Sequence, residues 1–115
     1  MKIVMTTSSN SLDAELDKRF GRAPGFLIYN SETQTHEFID NRQSINAAQG
    51  AGIQAVQNII ATGAQCVISG QCGPKALRVL QSAGIKIYSC DAGSLKACIE
   101  QFNSGALQEI QGQMR

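Results

Sequence analysis

Two short segments of this 115-residue chain hold residue types whose spacing could do chemistry. Lys18-Arg19-Phe20-Gly21-Arg22-Ala23-Pro24-Gly25 gathers three cations around glycines and a proline. Gly70-Gln71-Cys72-Gly73-Pro74-Lys75 is a glycine-rich turn ahead of a proline suited to the first position of a helix. Free N–H groups at a helix start carry about half a positive charge, and glycines let backbone approach a ligand closely. With Arg19, Arg22 and Lys75 added, the chemistry is that of holding a compact anion. The second segment resembles a phosphate loop in physics but lacks the order G-x-x-x-x-G-K-[ST], so nucleotide binding finds little support. Cys72, in a turn near Lys75, is the thiol with most reason to be exposed and acidified.

The charge distribution agrees with a local anion site. All nine acids fall in three groups: Asp13, Glu15 and Asp17; Glu32, Glu37 and Asp40; Asp91, Glu100 and Glu109. Between Asn41 and Cys90 there is no acid, while Arg42, Lys75, Arg78 and Lys86 are present. Lys18, Arg19 and Arg22 stand in a second acid-free run. The net charge is only +1, so no global field recruits nucleic acid. Aromatic residues make up 5% of the chain and tryptophan is absent, which argues against base-stacking surfaces.

Other chemistries lack their residues. The cysteines Cys66, Cys72, Cys90 and Cys98 contain no C-x-x-C pair, and His36 is the sole histidine, so a tetrahedral zinc site is not expected. Cys66 and Cys98 fall at core-facing positions. Cys90, at the end of a strand, could approach Cys72, which keeps a thiol redox protein as an alternative. A two-metal nuclease needs several carboxylates, and Lys2-Ile3-Val4-Met5-Thr6 supplies none. No Ser/His/Asp or Cys/His constellation emerges, so no catalytic residues are assigned. The start Met1–Met5 reads as neither signal peptide nor membrane span, giving the expectation of a cytoplasmic protein with reduced thiols.

The elements that must position these residues follow from periodicity. Lys2–Thr6, Phe26–Asn30 and Thr35–Asp40 read as strands, the last two a hairpin. Leu12–Phe20 reads as a weak helix or turn. Asn46–Thr62 reads as a helix without a single charge, with Ile53, Val56, Ile59 and Ile60 on its apolar face. Cys66–Ser69, Pro74–Ala83, Lys86–Ser89 and Ser94–Asn103 then alternate strand and helix, and the tail from Gly105 reads as frayed. The order βββαβαβα predicts a single α/β domain over 1–115 with a five-stranded mixed sheet and helices on its faces. If the first, fourth and fifth strands are parallel, both chemical segments meet outside their carboxyl ends, where α/β sheets bind ligands. Asp40 and Asp91 are the acids expected near that edge.

The segment Asp17-Lys18-Arg19-Phe20-Gly21-Arg22-Ala23-Pro24 resembles the D-x-R-F-G-R-A-P-x-F pattern of the dinitrogenase iron–molybdenum cofactor biosynthesis family. Gly50-Ala51-Gly52-Ile53-Gln54-Ala55, Val67–Leu77 with its Gly70–Pro74 turn, and Ala83-Gly84-Ile85-Lys86-Ile87-Tyr88 follow in the family's order. The likeness spans nearly the whole chain. It implies a ribonuclease H-like fold without nuclease chemistry, and members that bind or carry iron–molybdenum cofactor and its precursors. The chain is also similar in size to a stand-alone subgroup, the orange proteins of sulfate-reducing bacteria, which hold a molybdenum–copper sulfide cluster non-covalently. The implied ligand is thus an anionic metal–sulfur cluster, with cluster-donor or acceptor proteins as further partners and neither nucleic acid nor membrane. Arg19, Phe20, Gly21, Arg22, Ala23, Pro24, Gly70, Gln71, Cys72, Gly73, Pro74 and Lys75 are the implied cradle, and for such a cluster direct ligation of copper by Cys72 stays open, since soft thiolates select Cu(I). A regulatory or adaptor domain binding a protein or a plain oxyanion such as molybdate is the alternative from another class.

Overall fold

The computed structural model describes residues 1–17, 19–20, 23–40, 51–70, 74–90 and 93–110, with backbone alone at 51–55 and 74–75. Its elements run β1 (Lys2–Thr7), β2 (Gly25–Asn30), β3 (Thr35–Asp40), α1 (Ala51–Thr62), β4 (Cys66–Ser69), α2 (Pro74–Ser82), β5 (Lys86–Ser89), α3 (Leu95–Asn103) and β6 (Gln108–Glu109). They form one mixed sheet of order β3-β2-β1-β4-β5-β6. β4 pairs parallel to β1 and β5 parallel to β4, while β2, β3 and β6 pair antiparallel to their neighbours. The expected five strands are therefore six. The tail carries one more, because Tyr88 and Ser89 pair with Glu109 and Gln108, and the Ile110 N–H donates to the Ile87 carbonyl at 2.7 Å. A strand of two residues has no periodicity to read; only the open edge of β5 makes Gln108–Glu109 extended.

Burial on both faces explains why the central strands are apolar throughout. Ile3, Val4 and Met5 are all fully buried, although successive side chains point to opposite faces. Val4, Phe26, Ile28, Val67 and Ile87 meet Val56 and Ile59 of α1 and Ala76, Leu77 and Leu80 of α2 on one face. Ile3, Met5, Leu27, Cys66 and Ile68 meet Leu95, Cys98 and Ile99 of α3 on the other. The expected Asn46–Thr62 helix is present over Ala51–Thr62, and its first residues lie outside those described.

Local chemistry sets the boundaries. α2 stops at Gly84, whose φ of +80° is left-handed, and the Ile85 N–H reaches back to the Leu80 carbonyl at 2.9 Å. α3 starts at Ser94, whose hydroxyl accepts from the Ala97 N–H at 3.2 Å. The β2–β3 turn is held by Asn30, which takes the Glu32 N–H on its side-chain oxygen at 2.9 Å and the Gln34 N–H on its carbonyl at 2.8 Å. Gly25 opens β2 under the Phe38 ring: a Cβ there would strike that ring and stand 2.7 Å from the Ile39 carbonyl oxygen.

Leu12–Phe20, expected as a weak helix or turn, takes the second form among its described residues. It is irregular, because its backbone hydrogen bonds go elsewhere than along a helix. The Asp17 N–H donates to the Thr6 carbonyl and the Leu16 N–H to the Gly93 carbonyl, both at 2.7 Å. In return the N–H groups of Leu95 and Lys96 donate to the carbonyls of Ala14 and Leu12, each at 2.9 Å. The segment is stitched between the end of β1 and the first turn of α3, which satisfies the helix-start donors that a helical Leu12–Phe20 would leave open.

Candidate functional site

The parallel pairing of β1, β4 and β5 brings Thr7, Ser69 and Ser89 to one edge of the sheet. Gly25 pairs with Thr7 and with Asp40, so the entry to β2 and the exit of β3 lie at the same edge. The convergence expected from topology is thus present for every described member. Arg19, Ala23 and Pro24 precede β2, Gly70 follows β4, and Pro74 opens α2 with Lys75 in its first turn. Gly21, Arg22, Gln71, Cys72 and Gly73 lie outside the described residues.

Three buried hydroxyls build the floor of this edge. Thr6, Thr7 and Ser69 have no exposed surface. The Thr6 hydroxyl lies 2.5 Å from the Asp17 carbonyl oxygen and 3.0 Å from Ser69 Oγ. The Thr6 hydroxyl is the donor in both contacts, its single proton shared between the carbonyl and Ser69. The Thr7 hydroxyl donates to the Glu15 carbonyl at 2.9 Å. These bonds lock the segment that precedes Arg19 onto the ends of β1 and β4. Thr6→Val, which keeps the shape and removes the hydroxyl, is expected to cost about 1–3 kcal/mol, because it strands a buried carbonyl and a buried hydroxyl. Urea unfolding should show the loss as a lower midpoint at unchanged slope.

Arg19 stands on this floor with its side chain 66% exposed. Its Nε and Nη2 meet the two carboxylate oxygens of Asp17 at 3.1 and 3.0 Å, and its backbone N–H meets Oδ1 at 2.9 Å. The hydrogen bond from the Arg19 side chain holds the Asp17 carboxyl below the usual carboxylate range, so it stays ionised. Asp17 therefore joins Asp40 among the acids of this edge, correcting the expectation that only Asp40 and Asp91 stand there. Ser8, Glu15, Leu16, Asp17 and Arg19 line a shallow depression of about 370 Å³ beside the pair.

Phe20 and Ala23 are placed differently from a ligand-facing pair. Phe20 is 2% exposed with its ring 6.2 Å from that of Phe26, and Ala23 is fully buried. Both anchor the loop to the core, and Pro24 is half-buried. His36 is exposed on β3, as expected for a solvent-facing strand residue. It lines a larger groove of about 580 Å³ with Lys2, Asn30, Glu37 and Thr62. That groove is at the start of β1 and the end of α1, where the carbonyl end of the helix dipole disfavours an anion. Cys66 and Cys98 are buried, as expected, and burial pushes the Cys66 thiol up to about 11. Cys90 is 2% exposed with its Sγ 2.7 Å from that of Cys98; Cys72, its alternative partner, lies outside the described residues. Among the described residues, no group of three or more His, Cys, Asp or Glu side chains could hold a metal ion.

Sequence reasoning missed Thr6, Thr7, Ser69 and the role of Asp17. The available signal was two threonines closing an apolar strand, where hydroxyls must find a partner once buried.

Residues 1–105 match the family described as dinitrogenase iron-molybdenum cofactor. The chain belongs to that family. The apo form of the orange protein from Desulfovibrio gigas superposes with a TM-score of 0.93 at 34% identity, covering 99% of this chain and 96% of that one. A NifB candidate from Thermotoga superposes at 0.84 with 29% identity, covering 99% and 97%. An uncharacterized protein of Methanocaldococcus jannaschii is 31% identical over 114 residues, which is 96% of this chain and 92% of the relative. Among the described residues no helix is long and apolar enough to cross a membrane.

Proposed function

We propose that this chain binds and carries, or scaffolds, an anionic molybdenum-containing metal–sulfur cluster at the carboxyl-end edge of β1, β4 and β5. The cluster is a molybdenum–copper sulfide or an iron–molybdenum cofactor precursor, held non-covalently as cargo and not turned over as a substrate. The observation that carries this reading is exposed Arg19, whose segment is tied through the Asp17 carbonyl to the Thr6–Ser69 floor, at the sheet edge where β4 ends and α2 begins. Family membership and the likeness to the orange protein support the ligand class.

Arg19, Arg22 and Lys75 supply full charges, and backbone N–H groups from Gly70 to Lys75 supply the remainder of the cradle. Arg19 comes to the ligand already paired with Asp17, so part of its charge is spent and its direction is fixed. Phe20 and Ala23 act by holding the loop in place, with Pro24 left to offer apolar contact. A cluster that brings its own sulfide ligands needs no cysteine, and Cys72 is the one candidate for a copper contact. The sheet order fits a ribonuclease H-like domain spanning 1–115, working in the cytoplasm with cluster-donor or acceptor proteins and without catalysis.

Anaerobic titration with tetrathiomolybdate and Cu(I), then desalting, visible absorption and metal analysis, tests the reading. A coloured, stoichiometric complex is expected. In the triple variant Arg19→Gln, Arg22→Gln, Lys75→Gln the affinity should fall at least tenfold, since a hydrogen bond to a charged group contributes about 1.5–3 kcal/mol. Circular dichroism guards against misfolding. Absence of retained metal in the unmodified chain would sink the molybdenum–copper form of the proposal.

A further inference from the structure

The sheet edge has a second chemical feature that the cluster reading does not use. Cys90, the first residue after β5, places its Sγ 2.7 Å from Sγ of Cys98 in α3. The two are 2% and 0% exposed. Both backbones are held: the Cys90 N–H donates to the Ser69 carbonyl at 3.2 Å, and the Cys98 N–H to the Ser94 carbonyl at 3.1 Å. Leu95 and Ile99 pack in the same cluster, so the sulfurs have little room to separate. Non-bonded heavy atoms ordinarily sit about 3.5–4.0 Å apart, so these two sulfurs are already well inside ordinary contact.

We propose that Cys90 and Cys98 are a reversible thiol–disulfide pair that ties the end of β5 to the second turn of α3. A disulfide needs a sulfur separation of about 2.05 Å, a closing movement well under 1 Å. A metal ion between two thiolates needs the opposite movement. Two metal–sulfur bonds of about 2.3 Å spread the sulfurs towards roughly 4 Å, against a packed core. The oxidant that suits so buried a pair is small, and hydrogen peroxide fits. The Cys90 thiolate attacks a peroxide oxygen and becomes a sulfenic acid as one water leaves. Cys98 sulfur then attacks that sulfur, the S–S bond forms, and a second water leaves. Two thiols lose two protons and two electrons, and one peroxide becomes two waters. A dithiol reverses the change. Cys66, whose thiol is held protonated by burial, stays out of the exchange.

The test uses the full chain, reduced, folded and free of metal, so it is independent of cluster binding. Hydrogen peroxide is added stepwise, and the protein is then quenched, denatured, alkylated and digested with trypsin. Cleavage after Lys86 and Lys96 puts Cys90 in peptide 87–96 and Cys98 in peptide 97–115, while Cys66 and Cys72 share peptide 43–75. The expected product is 87–96 linked to 97–115 in most molecules, reversed by dithiothreitol, retained in Cys72→Ser and lost in Cys98→Ser. The unmodified chain alone decides the matter should a variant fail to fold. A link between 43–75 and 87–96, or alkylation at all four cysteines after excess peroxide, overturns the proposal.

Discussion

Phe20→Ala is expected to destabilise the chain by about 3–5 kcal/mol, the range for emptying a large aromatic site in a packed core. The residue stands inside the Arg19–Pro24 motif, where its neighbours in sequence invite a reading as ligand contact. Its ring is 2% exposed and lies against Phe26, in a cluster with Val4, Val56 and Ile59. Removing it opens a cavity below the loop, and the surrounding β1, β2 and α1 side chains close it only in part. The readout is the urea midpoint of the ligand-free protein. A ligand-contact role predicts the reverse pattern: unchanged unfolding without ligand and weakened cluster retention. If Phe20→Ala unfolds like the unmodified chain, the placement of this ring in the core is wrong.

Leu80→Ala is expected to cost about 2–5 kcal/mol, for a different architectural reason. α2 has nine residues, too few to persist without packing. Leu80 is fully buried where α2 meets α1 and β5, and its carbonyl receives the Ile85 N–H that closes the helix. Losing its side chain loosens α2 as a unit, including the first turn that carries Pro74 and Lys75. Hydrogen exchange at the amides of residues 78–82 should accelerate in the variant by more than in α3, which packs on the other face. Equal acceleration in both helices would show that the two faces do not unfold separately.

Most of the elements were legible because they rest on short-range physics. Apolar runs of four to six residues between turn signals gave the five long-range strands close to their boundaries. Pro74 and Gly84 bracketed α2, and Ser94 marked the start of α3. The parallel order of β1, β4 and β5 followed from crossover rules, and with it the common edge for Arg19, Gly70 and the start of α2. Leu12–Phe20 was legible only as a choice between weak helix and turn. Its acids and apolar residues suit a helix, but the competing partners, Thr6, Gly93 and the first turn of α3, are distant in sequence. β6 was illegible for the same reason, since an unpaired edge of β5 recruits residues with little strand character of their own.

By itself, then, the sequence determined where along the chain the cations and glycines of the proposed anion site stand, because charge and glycine content are carried by residue types. It also determined the alternation of strand and helix, through periodicity. Only the tertiary structure decided which motif residues face outward. It turned Phe20 and Ala23 into the core, left Arg19 exposed against Asp17, seated the loop on Thr6 and Ser69, and put Cys90 against Cys98. Those outcomes depend on which buried polar and apolar groups find each other across the sheet, and that pairing is set by packing between segments far apart in the chain.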